Sequence, residues 1–305
     1  MTPATWLWIP ITLGASLAQT ARNAAQRQLT ATLGTLGSTL VRFLYGLPFA
    51  VLWLIGVSLV GNFPLPAPNA VFVGWVLVAA VTQIMATSLL LHVMTERNFT
   101  LGIAYSKSEV LQVAIFGLVF LGDPVTVITA SAILLGTFGV LLLSPIDREH
   151  PLRTLIAGWT TRPALLGILS GAGFGFSAVA YRGAALALEG VAFPMAAAYT
   201  LVAAQALQTV LLVGWLTMRD KGVVTRVCRA WRVSLFAGLM GATASIGWFT
   251  AMTIEPVAHV RTLALVELLF GYIVSRRIFR EPVTRLEIIG MLLLTTGLIV
   301  VTLGH

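Results

Sequence analysis

When the cations assigned to the connections are set aside, four cations inside long apolar runs of this sequence are left over, Arg42, Lys107, Arg182 and Arg261, and with them stand the embedded carboxylates Glu109 and Glu267. A charge at the centre of a bilayer costs at least ~2.5–3.5 kcal/mol even on lenient insertion scales, so such groups must face a wet cavity or a partner. Glu109 shares one helix face with Tyr105 (four residues before) and Gln112 (three after), a polar combination that suits a cavity. Glu267 shares its face with Leu263, Phe270 and Gly271, which is more apolar. Two readings stand for it, the handling of a proton or cationic substrate and a structural ion pair. Lys107 lies two residues from Glu109 and therefore on another face. Flanked by helix on both sides, it is the cation hardest to explain without a cavity.

The remaining cations have bland alternatives. Arg42 precedes Pro48, which removes a backbone hydrogen bond and kinks a helix, yet an arginine one or two turns into a span can also snorkel to the headgroups. Snorkelling is the favoured reading for Arg42 and Arg182. Arg261 is balanced between the two. Trp248, in the middle of an apolar run, is a candidate cavity wall or a packed core residue. The other tryptophans, among them Trp6, Trp8, Trp53, Trp75, Trp159, Trp215 and Trp231, stand where an interfacial aromatic belt would need them. His92 and His259 fit satisfied interfacial positions. Gly167, Gly171 and Gly175, and again Ala237, Gly241 and Ser245, recur every fourth residue and make faces on which helices approach closely.

The elements that must position these groups follow from composition. Of 305 residues 58% are hydrophobic and only 10% charged, with a mean hydropathy of +0.93, against ~25% charged in soluble domains. The expected fold is an all-α integral membrane protein. A spanning helix needs ~20 mostly apolar residues, and ten such runs are present: 6–26, 35–60, 71–94, 99–121, 124–144, 163–187, 191–217, 232–254, 257–279 and 283–303. Pro124, Pro163, Pro256 and Pro282 stand where new helices begin. The first run carries no basic leader or cleavage site and reads as a retained span.

The second half repeats the first. Pro124-Val125-Thr126 and Pro282-Val283-Thr284 are offset by 282 − 124 = 158, and the same shift brings Met94-Thr95 onto Met252-Thr253 and Glu109 onto Glu267. The expectation is two five-helix repeats, residues 1–147 and 148–305. Five is odd, so the second repeat is inverted, as in secondary transporters whose site lies at the repeat interface. Fifteen of the 19 Lys and Arg, from Arg22 and Arg27 to Arg280 and Arg285, fall in the odd-numbered connections. The positive-inside rule then puts both termini outside.

Ten runs, a five-plus-five repeat, and a Glu in the fourth helix of each half followed by the Gly122-Asp123-Pro124-Val125-Thr126 and Arg280-Glu281-Pro282-Val283-Thr284 turns resemble the drug/metabolite transporter superfamily, in particular its EamA-type members, which include bacterial amino-acid exporters. The family's Glu-Pro pair reads Glu109-Val110 and Glu267-Leu268 here. The resemblance implies a multi-pass protein of the bacterial inner membrane, although many relatives are thought to keep both termini in the cytoplasm.

The expected function is therefore a secondary transporter, exporting a small metabolite such as an amino acid by alternating access. Glu109, Glu267, Lys107, Tyr105, Gln112, Arg42, Arg261 and Trp248 are the candidate substrate- and ion-binding residues. The expected partners are a small-molecule substrate, protons and membrane lipids, with the monomer sufficient. The alternative within transport is efflux of lipophilic cations by proton exchange. An enzyme is disfavoured by the lack of a nucleophile elbow or phosphate-binding glycine loop, and a channel by the lack of a filter-like loop. The net charge of +8 does not mark a nucleic-acid binder, because the cations sit between apolar runs rather than on one basic face. A single cysteine, Cys228, and four histidines without metal-ligand spacing leave no metal or other cofactor expected.

Overall fold

The computed structural model describes residues 6–96, 106–123, 125–143, 162–220, 222–274 and parts of 289–300. The described residues are helical, with no strands. In chain order the helices are α1 (Trp8–Leu44), α2 (Leu47–Gly61), α3 (Ala70–Glu96), α4 (Glu109–Leu121), α5 (Val127–Leu143), α6 (Arg162–Leu186), α7 (Phe193–Arg219), α8 (Val223–Arg229), α9 (Trp231–Ile254), α10 (Val257–Leu263) and α11 (Val266–Val274). Five stretches among these residues are long and apolar enough to cross a membrane, the first of them 54 residues long, from Trp8 to Gly61.

That first stretch is folded back on itself. Gly34 adopts φ 69° and ψ 176° inside α1, a conformation open to glycine because it has no Cβ. Gln26 Nε2 donates to the Ser38 carbonyl at 2.8 Å. On a continuous helix those residues would stand ~18 Å apart, at ~1.5 Å of rise for each of the intervening steps, so the chain reverses at Gly34. The helix runs past the expected edge at residue 26 because Leu29 and Leu33 are buried against Val223 and Val227 of α8. The second arm is interrupted again at Tyr45-Gly46, where Pro48 opens α2.

The surface is apolar, and polar side chains are buried among the apolar ones inside. Leu59, Val60, Val127, Val210 and Met218 are all more than two-thirds exposed, whereas Gln26, Gln208 and Glu267 are among the most deeply buried side chains. In water so much exposed hydrocarbon would drive association; facing lipid it costs nothing. This is a membrane-embedded arrangement.

Close helix contacts are made where side chains are absent. A Cβ on Gly247 (α9) would stand 2.7 Å from Ala15 Cβ (α1), and one on Gly173 (α6) 2.9 Å from Ala86 Cβ (α3). On α6, Gly171 lies against the Ser106 carbonyl and Gly175 against that of Glu109. The small-residue faces thus seat the start of α4 on α6. Two caps tie the ends. Asn69 Oδ1 accepts from Phe72 N at 2.8 Å at the start of α3, and its amide donates to the Ala187 carbonyl at 2.7 Å. Gly122, at φ 70°, ends α4 with the Asp123 amide on the Gly117 carbonyl.

Two expectations about continuity are corrected. The run 257–279 begins as two helices, α10 and α11, parted at Ala264-Leu265, where the chain tightens into i→i+3 hydrogen bonds (Leu265 N to Thr262 O, Leu268 N to Leu265 O). The run 99–121 has the same device: Val110 N bonds Lys107 O, and α4 proper starts at Glu109. Trp8 is fully buried rather than interfacial, whereas Trp6, Trp53, Trp215 and Trp231 are exposed as a belt would require. Pro163 and Pro256 stand at the starts of α6 and α10. Tyr105, Pro124, Pro282, Trp159, the repeat boundary at 147 and most of the run 283–303 lie outside the described residues.

Candidate functional site: a buried cavity of paired charges

The two backbone breaks deliver the two embedded glutamates to one place. Glu109 opens α4 and Glu267 occupies the first turn of α11. Both line a narrow cavity of about 40 Å³, room for a few water molecules. Helix breaks inside a membrane protein are tolerated where they are buried in protein or line a cavity rather than face lipid.

Each glutamate pairs with a cation from the other half of the chain. Lys107 Nζ lies 2.6 Å from Glu267 Oε2, and Arg261 Nη1 lies 3.1 Å from Glu109 Oε1. All four side chains are buried. Glu267 has two further donors, both from α1: Gln19 Nε2 at 2.9 Å and Asn23 Nδ2 at 3.0 Å. Trp248 Nε1 donates to Gln19 Oε1 at 2.9 Å, and its ring carries the Arg261 guanidinium 5.0 Å from the centroid, a cation–π contact.

Of the expected site residues, Glu109, Glu267, Lys107, Arg42, Arg261 and Trp248 all line this cavity. Gln112 does not; its amide donates to Ser108 Oγ at 3.2 Å. Two arginines that the sequence pattern places at the membrane surface line this cavity instead. Arg22, counted with the first connection, is buried in the cavity wall because α1 continues well beyond it. Arg42, for which snorkelling was favoured, is also buried and donates to Thr87 Oγ1 at 3.1 Å.

Sequence reasoning missed Gln19, Arg22 and Asn23. Their signal was present: with Gln26 they fall at i, i+3, i+4 and i+7, one polar stripe on an otherwise apolar helix. It missed Gln83 and Tyr181 as well, on which Gln208 converges. Gln208 Nε2 donates to Gln83 Oε1 at 2.7 Å and to the Tyr181 hydroxyl at 2.9 Å, and that hydroxyl donates to Gln83 Oε1 at 3.2 Å. Tyr181→Phe removes one member while the two glutamines keep their own bond. The expected loss is about 1 kcal/mol, read as a modestly lowered unfolding midpoint in detergent.

A second polar cluster adjoins the cavity at the α4–α5 and α9–α10 turns. Arg182 does not snorkel. Its Nη1 donates to the carbonyls of Met252 and Glu255 at the end of α9, and its Nε lies 3.5 Å from Asp123. A guanidinium there satisfies carbonyls that have no intrahelical partner. His259 pairs through Nδ1 with Glu255 and meets Thr129 Oγ1 at 2.7 Å through Nε2, so it is satisfied and cross-links α10 to α5. No group of three or more potential metal ligands occurs among the described residues.

No family model matches this sequence, and no curated protein does. Among solved structures the chain is similar to one described only as "Crystal structure of protein", at 15% identity over 98% of this chain and 97% of that chain, with a TM-score of 0.66. At that identity the likeness speaks for the fold alone.

Proposed function

We propose that this chain is a secondary transporter, not an enzyme, that moves a small polar metabolite such as an amino acid by alternating access. The observation that carries the reading is the cross-pairing of Glu109 and Glu267 with Arg261 and Lys107 inside one buried cavity, at two helix breaks. Buried ion pairs contribute little net stability, so a fold that retains two of them beside water-sized space is keeping them for something that enters.

The reading includes ten spans in two inverted repeats, of the drug/metabolite transporter and EamA type. Several features support it. Lys107-Ser108 and Ala264-Leu265 interrupt their helices at matching places in the two halves, 157 residues apart in the sequence. The close pairs α1 with α9 and α6 with α3 exchange under the 158-residue shift, as a two-fold axis between halves would require. The turn at Gly34 packs beside α8, so Arg219, Arg226 and Arg229 gather at one end. Asn69 joins Ala187 at the α2–α3 and α6–α7 connections. The first of these ends is the cytoplasmic one on the positive-inside rule, in a bacterial inner membrane, with both termini outside. Opening toward the other side would then part Arg182 from the end of α9. Efflux of lipophilic cations is the weaker reading, because the cavity walls hold four cations (Arg22, Arg42, Lys107, Arg261) and only two carboxylates.

Purified protein in liposomes, screened with amino acids and related small metabolites, tests the proposal. At least one is expected to exchange across the bilayer, and Glu109→Gln is expected to slow that exchange by about tenfold, the effect of losing one charge-assisted contact of ~1.5 kcal/mol. An unchanged rate in that variant would remove Glu109 from the mechanism.

A further inference from the structure

Arg22 and Arg42 are left over when the cavity's charges are paired. Glu267 is matched by Lys107 and Glu109 by Arg261. Four cations less two carboxylates leave two formal positive charges in the wall. Among the described residues no carboxylate comes within ion-pair distance of either arginine.

Both are buried, at 2% and 5% exposure. Arg22 spends Nε and Nη2 on the Asn23 side-chain oxygen (3.3 and 2.8 Å), while its Nη1 is buried without any hydrogen-bond partner. Arg42 has a neutral threonine and the Phe43 ring, 5.3 Å from its guanidinium carbon. The two stems converge on Gly241 of α9. A Cβ there would stand 3.1 Å from Arg22 Cδ and 3.8 Å from Arg42 Cγ. Two like charges held together in a buried wall repel, and a buried N–H without a partner is costly. Such an arrangement is stable in use only if a negative group comes to it.

We infer that Arg22 and Arg42 form an anion subsite, and that the substrate is a small organic dianion on a short frame. This inference rests on the transport reading and narrows it. Guanidinium groups suit the task because their fork of N–H donors matches a carboxylate or phosphate two bonds at a time. The pairing also accounts for the narrowness of the cavity. Without ligand the glutamates hold Lys107 and Arg261 and the wall keeps two formal positive charges in excess; with a dianion bound the sum of charges reaches zero. The unpaired wall also disfavours a zwitterion of no net charge, which would leave the same excess behind.

Equilibrium binding separates this inference from the transport reading. The unfolding midpoint of the purified protein in chloride-free buffer is measured against rising succinate, malate or glycerol phosphate, with leucine and tetraphenylphosphonium as contrasts. A ligand that binds the folded state raises that midpoint. At least one of the three acids is expected to do so saturably, and the one that does tells a carboxylate frame from a phosphate ester. Arg22→Gln and Arg42→Gln are each expected to weaken that binding roughly ten- to hundredfold, while the unliganded midpoint stays level or rises because a buried like charge has gone. Arg229→Gln, on the exposed side of α8, is the control and leaves binding unchanged. Binding without flux in liposomes would refute transport and keep the subsite. No response to any of the three acids, a response to leucine or tetraphenylphosphonium alone, or glutamine variants that bind like the wild type would overturn the subsite. The wild-type series decides this even if a variant fails to fold.

Discussion

On the proposed transport function, Glu267→Gln is expected to reduce exchange by about two orders of magnitude and to lower the unfolding midpoint at the same time. The carboxylate is 1% exposed and accepts from Lys107, Gln19 and Asn23. Glutamine has the same shape but only one accepting oxygen. Its one carbonyl oxygen can take the Oε2 place and keep both Lys107 and Gln19, but its NH2 then faces the Asn23 donor, and Lys107 is left as a buried charge without a counter-charge. Removing one partner of a buried pair costs about 3–5 kcal/mol, whereas removing both can be nearly neutral. That asymmetry separates structure from function. Lys107→Met added to Glu267→Gln should restore most of the lost stability, a coupling of the kind seen between contacting residues, yet it should leave transport as low as in the single variant. The measurements are the midpoint in detergent and the initial exchange rate in liposomes of a metabolite the wild type moves. If the single variant exchanges at the wild-type rate, or the double variant regains it, Glu267 is a structural ion and not part of the mechanism.

The membrane class and most helix positions were legible because they depend on hydrophobic runs, which are local. Pro163 and Pro256 marked helix starts for the same reason. What could not be read locally was the depth of each charge. Arg22 sits only four residues inside the expected end of the first run, and nothing in its neighbours says that the helix continues to Gly34. Whether Leu29 and Leu33 are helix or loop is decided by Val223 and Val227, nearly two hundred residues away. Arg182 shows the same limit. A cation near a helix end reads as snorkelling until the carbonyls of Met252 and Glu255 are known to lie beside it. The breaks before Glu109 and Glu267 carry no glycine or proline at the tightened turns, so no punctuation announced them. The embedded glutamates themselves were found, because a charge among apolar residues is conspicuous in any register. Their partners come from the opposite half, which pattern alone does not assign.

Gly238→Val is expected to be the most damaging single change outside the cavity charges. A Cβ at Gly238 on α9 would stand 2.4 Å from Tyr45 Cβ, 2.6 Å from Tyr45 C and 2.7 Å from its carbonyl oxygen. Two of those three atoms are backbone and cannot swing away as a side-chain tip can. They belong to the interruption between α1 and α2, where the Tyr45 amide bonds Val41 O and its hydroxyl bonds Val227 O at 3.3 Å, so the strain has few outlets. Overpacking ordinarily costs about 1–3 kcal/mol, and valine, with two further methyl groups against main chain, should reach or pass the upper figure. Gly238→Ala should fall between valine and the wild type. The consequence extends to the site, because Gly241 lies one turn along the same helix against the stems of Arg22 and Arg42. Moving α9 outward separates the pair and should weaken anion binding even where the alanine variant still folds. Gly56→Ala on α2 is the matched contrast, since nothing lies within 4 Å of its Cβ position, and it should gain the roughly 0.5–1 kcal/mol that alanine enjoys over glycine inside a helix. Unfolding midpoints and the yield of monodisperse protein for the three variants check the ranking. If Gly238→Val is as stable as Gly56→Ala, α9 does not press on the α1–α2 break, and the framework that holds the arginine pair would have to be drawn differently.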